Sequence, residues 1–126
     1  MIAGIGVDVV RIGRISSWLG RSTLLERFFH RDEIAALRSR GIGAAESLAA
    51  RFAAKEAFGK ALGSGMRDMR LDEICVTNDE RGKPGIVLYG AAREAFVRIR
   101  GGRIHLSLTH EGETAIAFVV IEVADE

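Results

Sequence analysis

At 126 residues the chain has the length of one domain, 1–126, and 18 Lys and Arg against 17 Asp and Glu leave a formal net charge of +1, too little for a nucleic-acid binder. The longest uninterrupted apolar run, Ala115 to Ile121, is roughly a third of a membrane span, so no membrane role is expected. Cys75 is the only cysteine, which excludes an internal disulfide and a Cys-based zinc site; with no basic n-region ahead of Asp8, a cytoplasmic protein is expected.

Charge is distributed unevenly. Met1 to Arg31 holds five arginines against Asp8 and Glu26, whereas Glu111 to Glu126 holds five acids and no Lys or Arg. A basic front half suits an acidic partner, either a protein or a polyphosphate. Ile2 to Val10 alternates as a strand, with Ile5, Val7 and Val9 on one face and Gly4, Gly6, Asp8 and Val10 on the other. The glycines would leave open space beside Asp8 for a ligand, while Arg11 and Arg14 offer that acid a plain ion pair. Arg11 to Gly20 has the spacing of a helix with Ile12, Ile15 and Leu19 inward, which puts Arg14 and Arg21 on nearly one side with Trp18. Such a face either docks an acidic helix or is simply solvated. Leu24 to Phe29 is a further helical turn, His30 a cap or surface residue before a third helix at Ile34 to Leu37, and Arg38 to Gly43 a loop.

Ala44 to Leu62 predicts the long helix, alanine-rich and closed by Gly63. Wound at about 100° per residue, Ala45, Ala49, Phe52, Ala53, Glu56 and Lys60 share one stripe. A carboxylate among small apolar side chains is costly unless a positive group meets it. Lys60, one turn on, is one such group and a metal ion is another. As a solvated pair Glu56 and Lys60 would contribute only a few tenths of a kcal/mol.

Beyond the Gly63-Ser64-Gly65 break, Leu71 to Thr77 and Ile86 to Tyr89 read as strands of a hairpin around the polar turn Asn78 to Gly85. Amides near Arg81 and Lys83 in that turn offer a weak phosphate-binding signal. Gly90 to Arg100 is a helix with Ala91, Ala95, Phe96 and Ile99 inward. Ile104, Leu106 and Leu108 then alternate with His105, Ser107 and Thr109, and Glu111-Gly112-Glu113 turns the chain into a last strand, Thr114 to Val123. Both faces of that strand are apolar, so it is either central in a sheet or covered by another subunit. The order of elements is that of an α+β domain.

Three stretches taken together carry a resemblance: Gly4-Ile-Gly-Val-Asp8-Val-Val, Arg51-Phe-Ala-Ala-Lys55-Glu56-Ala-Phe-Gly-Lys60-Ala-Leu-Gly63, and Ser107-Leu-Thr-His110. They resemble the 4′-phosphopantetheinyl transferases, and the length and order of elements resemble the small bacterial holo-[acyl-carrier-protein] synthase class from end to end. That resemblance implies an antiparallel-rich sheet packed on one long helix and shorter helices. It implies transfer of phosphopantetheine from coenzyme A to a serine of acyl carrier protein, in support of fatty acid biosynthesis, with adenosine 3′,5′-bisphosphate leaving. It places Mg²⁺ on Asp8 and Glu56 and a phosphate donor on Lys60. Glu56, directly or through a water, is one candidate base for the serine and Glu111 another. Arg51 and His110 would lie near the 3′-phosphate of coenzyme A, Gly82, Lys83 and Pro84 along its nucleotide, and Ser107 and Thr109 in the same wall. Arg14 and Arg21, with Arg27 behind them, would dock the acidic carrier protein, and the assembly would be a homotrimer. Two other classes stand against this: a non-catalytic module binding coenzyme A or an acidic protein, and a Mg²⁺-dependent phosphohydrolase that needs no carrier.

Overall fold

The computed structural model describes residues 1–125. Strand β1 (Ile2–Arg11) leads into three short helices, α1 (Ile12–Ser16), α2 (Ser22–Phe28) and α3 (Arg31–Arg38), and then the long helix α4 (Ala44–Leu62). A 3-10 turn at Leu71–Glu73 opens a hairpin of β2 (Ile74–Asn78) and β3 (Pro84–Leu88), and α5 (Gly90–Arg98), β4 (Gly101–Glu111) and β5 (Thr114–Val123) follow. The class is α+β, with an antiparallel sheet in the order β1-β5-β4 laid against α4. No helix among the described residues is long and apolar enough to cross a membrane.

Helix α4 has the bounds its composition predicts. It starts after Gly43 (φ 91°) and stops at Gly63 (φ 85°), two left-handed positions that a side chain would strain. Its alanines make it thin enough to be enclosed almost all round: Ala49, Ala53, Ala54, Ala57 and Phe58 are fully buried. Strand β1 is thinned in the same way on the face turned to α4. A Cβ on Gly6 would overlap the carbonyl oxygen of Ala57 and stand 2.8 Å from the Ala61 nitrogen, and one on Gly4 would overlap the Ala61 carbonyl. The space expected beside Asp8 is therefore filled by helix backbone rather than left to a ligand. The other face of β1 turns outward, with Ile5, Val7 and Val9 59%, 49% and 59% exposed.

Strand β5 is the central strand, and only one of its two apolar faces is covered by α4. Ala115, Ala117, Val119 and Ile121 are fully buried on the α4 side, while Phe118 on the outer face pairs in register with Val7 and Ser107. Elsewhere the local pattern was overridden. Arg11 to Gly20 is not one helix: α1 ends at Ser16, in a stretch weakened by Gly13 and two serines, and Leu19 is exposed. Trp18 instead stacks on Phe28 with ring centroids 5.2 Å apart and meets Phe52 edge-on at 5.4 Å. The expected strand from Leu71 begins as the 3-10 turn, and α5 encloses Ala92 more fully than the Ala91, Ala95, Phe96 and Ile99 expected to face inward. Cys75 is buried in β2, and burial pushes its thiol up to about 11, so it is the inert thiol expected.

Candidate active site

Asp8 and Glu56 reach one place from opposite sides of the strand–helix contact. Asp8 stands on the face of β1 that α4 covers, opposite Ala117 of β5, and Glu56 stands one turn before Lys60 on α4. Lys60 Nζ donates to Asp8 Oδ1 at 3.0 Å and to the Val7 carbonyl at 3.0 Å. The i,i+4 pair with Glu56 is thus not made. Among the described residues Glu56 has no hydrogen bond or ion pair of its own, and its carboxyl is held above the ordinary range, first by burial and then by the charge of Asp8, with Lys60 and Arg14 opposing. Two acids here face two cations, Lys60 and Arg14, but among the described residues only Asp8 is directly paired, so the Glu56 oxygens are open to a further cation. No group of three or more His, Cys, Asp or Glu side chains occurs among the described residues, but Mg²⁺ needs only one or two protein carboxylates when phosphate oxygens and waters complete its shell.

The second half of the site is a cleft of about 480 Å³ whose wall includes Arg40, Ser47, Arg51, Asn78, Thr109 and His110. Arg51 is the anchor, 3% exposed, five residues before Glu56 on the same helix. It donates to the Val76 carbonyl of β2, to Asn78 Oδ1 at 3.1 Å and to Ser47 Oγ at 3.4 Å. Burial works against its charge, the carboxylate of Glu33 supports it, and Arg40 across the cleft opposes it again. Two guanidinium groups against the one carboxylate of Glu46 leave the cleft lining with an excess positive charge that suits an anion.

The predicted contacts divide. Arg51, Thr109 and His110 share the cleft wall, whereas Ser107, Gly82, Lys83 and Pro84 are not among its lining residues. Asn78, which is, takes the turn's place there and donates from Nδ2 to the Gly82 carbonyl at 3.0 Å. The amides of Arg81 and Lys83 both donate to Asp79 Oδ1 at 2.8 Å, so that turn does not present them to a phosphate. Glu111 closes β4 opposite Thr114, three rungs from the Asp8–Ala117–Leu108 row and two strands from β1, roughly 10 Å along the strand direction. His105 bonds Glu122 at 2.8 Å and stands outside the site.

Arg14, Arg21 and Arg27 are all exposed, on α1, the following turn and α2, rather than along one helix. The Arg14 guanidinium lies over Phe52 at 5.9 Å and that of Arg27 over Phe28 at 5.6 Å, on either side of Trp18.

Residues 4–119 match the 4′-phosphopantetheinyl transferase superfamily. The chain belongs to that superfamily. It is 52% identical over 122 residues to the holo-[acyl-carrier-protein] synthase of Treponema denticola, a match covering 97% of this chain and 99% of that one. The crystal structure of the Neisseria meningitidis synthase matches with a TM-score of 0.88 at 34% identity, over 97% of this chain and 99% of the other. That of the Bacillus anthracis synthase, solved in complex with CoA (3′,5′-ADP), matches at 0.81 and 35% identity over 98% and 99%.

Within the phosphopantetheinyl transferase motif on α4, sequence reasoning passed over Lys55, which is fully buried and bonded to Glu33 at 2.6 Å. Its spacing gave a signal: Lys55 follows Arg51 by one turn and comes after two alanines. Arg40 was passed over as a loop residue.

Proposed function

We propose that this protein, acting as a single domain over residues 1–126, transfers the 4′-phosphopantetheine arm of coenzyme A to a serine of apo acyl carrier protein in support of fatty acid biosynthesis. The serine oxygen bonds to the β-phosphorus, the pyrophosphate P–O bond breaks, and adenosine 3′,5′-bisphosphate leaves. The observation that carries this reading is the convergence of Asp8, Glu56 and Lys60 at one point of α4, with the cationic cleft of Arg51 about 7.5 Å of helix rise away. One rod thus addresses both the pyrophosphate and the 3′-phosphate of coenzyme A.

Asp8 and Glu56 would hold Mg²⁺, and two neighbouring carboxylates with Glu56 unpaired fit it. Bound there, Mg²⁺ supplies charge neutralisation on the pyrophosphate and on the leaving group. Lys60 donates to phosphate oxygens as negative charge builds. Glu56, whose carboxyl is held above the ordinary range, accepts the serine proton, and Glu111 is the alternative base. Little is asked of the base, because phosphoryl transfer is loose and depends mainly on placement. Arg51 and His110 face the 3′-phosphate, Thr109 adds to the wall, and Gly82, Lys83, Pro84 and Ser107 belong to the outer margin of the nucleotide site. Arg14, Arg21 and Arg27 form the docking face for the acidic carrier. The cytoplasm is the compartment we assign.

Apo acyl carrier protein incubated with this protein, coenzyme A and Mg²⁺ should gain one phosphopantetheinyl group by intact mass, and EDTA should abolish the gain. In the same assay Arg14→Glu should raise the KM for the carrier about tenfold without changing that for coenzyme A. Binding of coenzyme A with no gain on several carriers would instead favour a binding module, and turnover of coenzyme A without carrier would favour a hydrolase.

The outer sheet face, with Ile5, Val7, Val9 and Phe118 exposed in adjoining register, supports contact between copies of this chain, and we read the assembly as a trimer. Light scattering should give the mass of three chains, and Val7→Glu should reduce it to that of one. A wild-type mass of one chain would sink the trimer.

A further inference from the structure

Lys55 and Glu33 take no part in the transfer described above, yet with Arg51 they are the most enclosed charges in the described chain, at 0%, 1% and 3% exposure. Both oxygens of the Glu33 carboxylate are engaged. Oε1 accepts from Lys55 Nζ at 2.6 Å and from the His30 amide at 2.9 Å, while Oε2 accepts from the Val76 amide at 3.1 Å and stands 3.7 Å from Arg51 Nη1. Lys55 uses its remaining donors on the carbonyls of Leu71, at 2.9 Å, and Ile74. No buried side-chain nitrogen or oxygen among the described residues lacks a partner.

A buried ion pair is no stabiliser in itself, since apolar residues of similar volume often serve as well or better. What this one does is tie three elements together at one point. Lys55 holds the Ile74 carbonyl and Glu33 holds the Val76 amide, which fixes the strand whose Val76 carbonyl and Asn78 side chain receive Arg51. Two cations against one anion leave one positive charge in excess. Of the three groups, Arg51 is the one that lines the cleft.

We propose that Lys55 and Glu33 are positioning residues for Arg51: they lock its guanidinium between α4 and β2 so that it meets the phosphate at the nucleotide end of coenzyme A in one fixed geometry. This rests on the reading of the cleft as the coenzyme A site. Without the pair the cation remains but its direction is lost, so binding suffers at that phosphate and the chemical step at Glu56 does not.

The test compares coenzyme A with dephospho-coenzyme A, which lacks the 3′-phosphate, as substrates of the wild type, Glu33→Gln, Lys55→Met and the Glu33→Gln/Lys55→Met double variant. The double variant removes one charge of each sign but keeps only one of the two oxygens that accept from the His30 and Val76 amides, so the three variants are compared in the forms that melt cooperatively. The KM for coenzyme A should rise about tenfold while kcat changes less than about twofold, and the KM for dephospho-coenzyme A should stay within about twofold of wild type. A merely structural pair would raise both KM values together or lower kcat alike with both substrates; that result, or an unchanged KM for coenzyme A, overturns the positioning role alone. A wild type that does not prefer coenzyme A to dephospho-coenzyme A overturns the reading of the cleft, and this inference with it.

Discussion

Glu56→Gln and Asp8→Asn are each expected to slow transfer by about a thousandfold at saturating coenzyme A and Mg²⁺, while the proteins melt no lower than the parent. The two effects separate because the carboxylates are poorly placed for stability. Glu56 is half-buried, without a hydrogen-bonding partner among the described residues, and repelled by Asp8, so neutralising either acid relieves the folded state. Asp8→Asn also breaks the pair with Lys60, but that lysine is 54% exposed and such pairs are worth about 0–1 kcal/mol. Melts with and without Mg²⁺ give a second readout. The parent should gain stability on adding the ion, by mass action on the folded state, and neither variant should gain comparably. Near-parental turnover in both variants would remove the two carboxylates from the mechanism.

The other large effect falls on the fold. Gly6→Ala is expected to destabilise the protein by roughly 3 kcal/mol and to lower its melting temperature by about 10 °C or more. The methyl group would meet the backbone of Ala57 and Ala61, which unlike a flexible side chain cannot turn away. Either α4 lifts from β1 or the strand bends, and both movements part Asp8 from Glu56. Gly13→Ala is the matching control: nothing lies within 4 Å of its Cβ position, and within α1 it should be neutral or stabilising by about 0.5–1 kcal/mol. Equal melting of Gly6→Ala and the parent would mean that the helix does not rest on the strand as described.

These two sites also show how far the sequence could be read. The bounds of α4 follow from local rules, alanines within and left-handed glycines at both ends, so composition was enough. The stripe holding Glu56 and Lys60 was legible for the same reason. Its partner was not: Lys60 turns to Asp8, 52 residues earlier, because β1 lies on that face of the helix, and no local spacing encodes which strand does. The glycines of β1 were noticed and misread, since open space and close backbone approach look alike until the neighbour is known. Arg11 to Gly20 failed for a different reason, a helical period that Trp18 abandons to pack between two phenylalanines. The Glu33–Lys55 pair spans 22 residues and exists only through packing. One miss was avoidable. Asp79, two residues before Arg81, is placed to take the turn amides with its own side chain.

Trp18 is the chain's only tryptophan, and it sits between Phe28 and Phe52 with Arg14 and Arg27 over those same rings. The indole emission of this protein therefore comes from a single spot, at the seam between the basic arm and the long helix. Its colour and intensity form a built-in optical gauge of that seam, readable without a label and silent about the rest of the molecule.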